Sequence, residues 1–135
     1  MKAHKTVPVI VRGQNVEIDK GIRGLVVLMN EIPGVETLNS CEGGGVPGHA
    51  YVQFGGEGAF RLVALLAQEI LKEEVLWRRK HRHVCRGCKG MSVQLEVHGN
   101  GICLRWMPYD YHRVLKIVKS LIRPTRKSRA SLDAA

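Results

Sequence analysis

Apolar positions along this chain fall into two periodicities that alternate three times. Val9 to Val11 and Val16 to Ile18 read as short strands about Gly13-Gln14, where glycine at the first turn position suits a type II′ hairpin. In that register Val11 faces Val16 and Val9 faces Ile18, so both apolar pairs share one side. Pro8 marks an edge strand. Asp19 then stands as the N-cap of a helix that carries Ile22, Leu25, Val26, Met29 and Ile32 at helical spacing. Pro33-Gly34 stops that helix. Val35 to Ser40 looks extended, residues 41–48 form a glycine-rich loop, and Ala50 to Phe54 is an apolar run suited to a central strand.

Phe60, Val63, Ala64, Ala67, Ile70 and Leu71 predict a second amphipathic helix over 58–77. It runs into Arg78-Arg79-Lys80-His81-Arg82, whose charge complements the negative end of the helix dipole. Met91, Val93, Leu95 and Val97 alternate with Ser92, Gln94 and Glu96, and Asn100-Gly101 is a hairpin turn signal. That turn predicts Val97 opposite Leu104, Leu95 opposite Trp106, Glu96 opposite Arg105 and His98 opposite Cys103. A last helix starts at Asp110. Tyr111, Val114, Leu115, Val118 and Ile122 form its apolar stripe, Arg113, Lys116, Lys119 and Arg123 its other side, and Pro124 its end. Residues 124–135 read as a disordered basic tail. The order ββα-ββα-ββα predicts one α+β domain over 1–123, with an antiparallel or mixed sheet and helices packed on one face.

Charge narrows the function classes. The chain has 135 residues, enough for one core without staples, and 21 Lys and Arg against 12 acidic residues give +9. Such a surface attracts polyanions, nucleic acid first. No apolar run approaches the roughly 20 residues that span a bilayer, and Val7 to Val11 is too brief for a signal-peptide core. A cytoplasmic protein with no membrane partner is therefore expected, its four cysteines not paired as disulfides.

Ser40, Cys41, Glu42 and Gly43 place a hydroxyl, a thiol and a carboxylate at a strand end, ahead of glycines that let a ligand approach the backbone. They form a candidate ligand-binding segment. It is no P-loop, since the Lys-Ser/Thr ending is missing and a strand follows. A nest of backbone N–H groups for an anion fits it, and so does a tight connection around a buried thiol. Cys41 as a nucleophile needs a base, and His49 is the nearest in sequence. No acid/base pair follows from spacing alone, so catalytic activity stays an open question.

Thr37-x-x-Ser40-Cys41-x-Gly43, between Pro33-Gly34 and the Ala50-Tyr51-Val52-x-Phe54 strand, resembles a group of small uncharacterised bacterial proteins. More distantly, the Ser-Cys-x-Gly segment is similar to the wybutosine-synthesis methyltransferase family of tRNA modification. The likeness covers roughly residues 20–75. It implies an α+β fold, tRNA as partner and S-adenosylmethionine as methyl donor. Only Ser40, Cys41 and Gly43 carry over, because that family has an Arg close behind the glycine where this chain has Gly44-Gly45-Val46.

A second segment, His81-x-His83-x-Cys85-x-x-Cys88, has the turn that brings two thiolates to one tetrahedral ion. With the hairpin pair His98 and Cys103 it predicts a zinc site of Cys85, Cys88, His98 and Cys103. A redox dithiol and unmetallated thiols in a basic loop are the alternatives. Trp77, Arg78, Arg79, Lys80, Arg82, Arg86 and Lys89 surround the same segment, the cations for phosphates and Trp77 for stacking on a base. His4, His49 and His112 show no partner and read as surface residues. The functional expectation is an RNA-associated binding domain, with tRNA as the target that the resemblance implies. The alternative is a zinc-binding accessory or regulatory protein without catalysis.

Overall fold

The computed structural model describes residues 4–44, 48–81, 90–98 and 101–134. Strands β1 (Thr6–Val11) and β2 (Gln14–Asp19) form a hairpin, followed by a 3-10 turn (Lys20–Ile22) and helix α1 (Arg23–Asn30). Strands β3 (Glu36–Cys41) and β4 (Ala50–Gly55) lead into α2 (Ala59–Lys80). Strands β5 (Gln94–His98) and β6 (Gly101–Trp106) lead through a 3-10 turn (Pro108–Asp110) into α3 (Tyr111–Ala134). The fold is α+β. Instead of one sheet the described residues form two, the β1-β2 hairpin and a four-stranded sheet of order β3-β4-β6-β5, antiparallel throughout.

The sheet is apolar on one side only. Ala50, Val52 and Phe54 of β4 and Ile102, Leu104 and Trp106 of β6 are buried. They pack with Leu25, Val26 and Met29 of α1, Leu62 and Leu66 of α2, and Val114, Ile117 and Val118 of α3. Each such Val, Leu, Ile, Phe or Met side chain contributes about 1.5–3 kcal/mol by leaving water. The hairpin adds Val9, Val11 and Ile18 to the same core. The other face carries Asn39 and Cys41 of β3, Tyr51 and Gln53 of β4, Cys103 and Arg105 of β6, and Glu96 of β5.

Both hairpins differ from the sequence expectation in the same way. Val9 pairs with Val16 and Val7 with Ile18, and the turn is Arg12-Gly13. In the other hairpin Leu95 pairs with Leu104 and Val97 with Ile102, and His98 and Gly101 are the last pair. Each reversal lies one residue earlier than expected, so each pairing moves by two. A shift of two keeps every side chain on its face, so apolar sorting cannot tell the registers apart. Turn chemistry decides in the first hairpin: Arg12 and Gly13 both have positive φ, 53° and 75°, the type I′ pattern with glycine second rather than first.

Two boundaries also move. Residues 91–93 lie outside β5, because the Ser92 N–H and Oγ bond the Asp110 carboxylate at 2.8 and 2.6 Å instead of a ladder partner. Asp110 is buried, accepts those two bonds and pairs with Arg113. Helix α3 does not stop at Pro124 but runs to Ala134, where the composition predicts a disordered tail. Proline removes one backbone donor, but Arg126, Lys127, Arg129, Ala130 and Leu132 behind it are good helix formers.

Candidate functional site

Cys41 reaches its position through a β-bulge. Thr37 pairs with Phe54 and Asn39 with Gln53, so Leu38 is the extra residue. In an unbroken strand Thr37, Asn39 and Cys41 would share one face. The bulge leaves Thr37 on the helix-covered side, where Asn30 of α1 donates to its Oγ1 at 2.9 Å, and turns Cys41 to the open side opposite Tyr51. Re-aiming a side chain is a common use of bulges.

Three strand ends meet at Cys41. The first hairpin pairs Thr6 with Asp19, and Lys20 N–H donates to Lys5 O at 2.8 Å, which holds His4 beside the end of β2. Asp19 does not cap the helix through its side chain as expected. Its Oδ2 lies 2.9 Å from His4 Nδ1 and accepts the Glu42 N–H at 2.9 Å. The β3–β4 connection competes for the carboxylate and takes it. Glu42 Oε1 lies 3.7 Å from His4 Nδ1, and its Oε2 accepts the Gly21 N–H at 3.0 Å. A side chain at Gly21 would collide with that carboxylate. Donor atoms of His4, Asp19 and Cys41 all lie within 4.8 Å of one another. The His4 imidazole, raised from its ordinary range chiefly by the Asp19 hydrogen bond, favours its protonated form.

The glycine loop closes tightly behind this group. Gly43 has φ 78°, and a Cβ on it would lie 2.7 Å from Ala50 N. Gly43 N–H points at Cys41 Sγ, 3.5 Å away, and Gly44 N–H donates to Gly48 O at 3.1 Å. The Tyr51 hydroxyl is raised, first by burial and then by neighbouring Cys41 and Cys103. A groove of about 120 Å³ runs beside Ser40, lined by Val11, Ile18, Thr37 and Asn39 among others.

Cys41 and Glu42 are thus turned toward His4 and Asp19 with Gly43 behind them, whereas Ser40 pairs with Val52, on the other strand face from Cys41. His4, rather than His49, supplies the imidazole. Sequence spacing singles out neither His4 nor Asp19 as a site residue. The hairpin pairing brings those two together, but their meeting with Cys41 depends on long-range packing.

The second segment is described only in part. Cys85, Cys88, Arg82, Arg86 and Lys89 lie outside the described residues. His98 pairs with Gly101, while Cys103 pairs with Glu96, so the two expected ligands are not directly opposite. The shift of the pairing by two sets that offset. Cys103 is buried, and burial first of all holds its thiol above the ordinary range. Trp77 is half-buried and stacked on His81, with ring centroids 4.4 Å apart and planes at 17°, so one of its faces is already occupied. Arg78 pairs with Glu74 at 2.8 Å, and Arg79 and Lys80 are exposed. On α3, Lys116 pairs with Glu73 of α2 at 3.0 Å and Lys119 is exposed. Among the described residues no helix is long and apolar enough to cross a membrane. No family model, curated protein or solved structure matches this chain.

Proposed function

We propose that the protein is an RNA-associated binding domain, with tRNA as the RNA to test first. It would engage phosphates along α3 and the basic end of α2. One observation carries this reading: α3 holds seven Lys and Arg against a single acidic residue, a balance of +6 within a chain of +9. Charge gathered on one element, with the apolar stripe of that element committed to the core, is the footprint of a phosphate-tracking surface. Arg78, Arg79 and Lys80 extend the supply at the end of α2, the helix that Lys116 ties to α3. The likeness of Ser40, Cys41 and Gly43 to a tRNA-modifying family points to the same class of partner.

Fluorescence anisotropy with labelled tRNA tests the reading on the full chain. A variant carrying Arg79→Glu, Lys80→Glu and Lys119→Glu replaces three exposed cations and should bind at least ten-fold more weakly. An unchanged affinity would remove these helices as the contact surface.

A further inference from the structure

We infer that His4, Asp19 and Cys41 form a binding site for a single zinc-class divalent ion. This proposal stands independently of RNA binding. The donors are an imidazole nitrogen, a carboxylate oxygen and a sulfur, each at a different strand end, and all fall within 4.8 Å of one another. Bonds of about 2.0–2.3 Å to a tetrahedral ion require donor separations of roughly 3.3–3.8 Å. The His4–Asp19 contact, at 2.9 Å, has to open slightly on binding, and the upper bound of 4.8 Å leaves the donors within about 1.5 Å of the required separations. The set mixes nitrogen, oxygen and sulfur, which suits zinc or cobalt and is wrong for magnesium or calcium.

The surroundings are arranged for a cation. A second carboxylate, Glu42, stands 3.7 Å from the His4 ring and can serve as the fourth donor or hold a bound water. The Gly43 N–H aimed at Cys41 Sγ is the kind of contact that steadies a thiolate ligand. The Glu42 N–H and the Gly21 N–H each fix one carboxylate, Asp19 and Glu42 respectively, so neither swings freely. Three protein ligands with a fourth position left to water or Glu42 is the layout of an open zinc site rather than a closed structural one. On binding, the Cys41 thiol and the protonated His4 imidazole each give a proton to solvent, and the sulfur and the freed ring nitrogen coordinate the ion, with no change of oxidation state.

Cobalt(II) titration of chelator-treated full-length protein tests the site. Cys85→Ser and Cys88→Ser are introduced together so that thiols elsewhere do not report. The expected result is one equivalent of cobalt, with a thiolate-to-cobalt charge-transfer band and the visible bands of tetrahedral cobalt. Cys41→Ser should abolish the charge-transfer band, His4→Gln and Asp19→Asn should each weaken binding at least about ten-fold, the cost of disturbing even an outer-shell partner, and Cys103→Ser should leave it unchanged. Absence of the band in the parent, or its survival in Cys41→Ser, overturns the assignment. Should the double-serine parent not fold, alkylation of the natural sequence decides the question. Zinc should slow iodoacetamide labelling of Cys41 at least ten-fold, and labelling at the same rate with and without zinc overturns the proposal.

Discussion

Replacing Asp19 by alanine tests whether the three strand ends are held as described. One oxygen, Asp19 Oδ2, accepts the Glu42 N–H and contacts His4 Nδ1, both at 2.9 Å. A hydrogen bond to a charged group is worth about 1.5–3 kcal/mol. The contact with His4 is open to solvent and screened, so it adds little to that figure. Alanine also leaves the Glu42 N–H in a partly buried connection without its acceptor. The expected loss is about 2–3 kcal/mol in chelator-treated protein. For a chain of this size that corresponds to a fall in Tm of roughly 6–12 °C. Asp19→Asn keeps an acceptor for the Glu42 N–H and gives up only the charge, so it should cost about 1 kcal/mol. Urea unfolding followed by far-ultraviolet circular dichroism measures both. If Asp19→Ala shifts stability by no more than about 0.5 kcal/mol, as an ordinary surface substitution does, the carboxylate is not fastening β2 to the glycine loop.

Other parts of the molecule carry three further expectations. Gly43→Ala puts a Cβ 2.7 Å from Ala50 N at a φ of 78°, so it should cost more than about 1 kcal/mol, and a neutral result in the same urea assay contradicts the loop geometry. Asp110→Ala removes the acceptor of two Ser92 bonds and strands Arg113 at the start of α3; about 3 kcal/mol should be lost, against less than about 1 kcal/mol if the contact is incidental. His4 has its folded pKa raised by Asp19 and Glu42, so its contribution to stability is fully present below about pH 6.5, the unfolded value, and is lost as pH rises through the folded one. The stability difference between natural protein and His4→Gln, measured without metal, should shrink across that window, and a difference that grows with pH contradicts the sign.

The parts legible from sequence are those fixed by local periodicity. Leu25, Val26 and Met29 on α1, and Val114 and Val118 on α3, take the core positions their spacing predicts. Faces are legible too: alternation puts Leu95 and Val97 on one side of β5, and both pair with apolar residues, Leu104 and Ile102. Register is not, because a shift of two preserves faces and only the φ values at Arg12 and Gly13 choose between the alternatives. The bulge at Leu38 is invisible for a related reason: an extra residue in a strand leaves no compositional mark, yet it decides that Cys41 faces Tyr51 rather than the core. Asp19 reads as a helix cap because its position in sequence is ideal for one, and a backbone N–H 23 residues away takes the carboxylate instead. The thiol at Cys41 is visible as a candidate, but its neighbours His4 and Asp19 come from the other hairpin and need the tertiary fold to be found.

Whether the basic helices track RNA phosphates is decided by the salt dependence of tRNA binding. Affinity for tRNA, measured by anisotropy between about 50 and 200 mM salt, should fall steeply, with a log–log slope near −3 or steeper if at least about three or four phosphates are neutralised. In the Arg79→Glu, Lys80→Glu, Lys119→Glu variant the slope should flatten by about one unit for each phosphate no longer neutralised. A slope near zero, or no binding at about 50 mM salt, would contradict phosphate tracking by these helices.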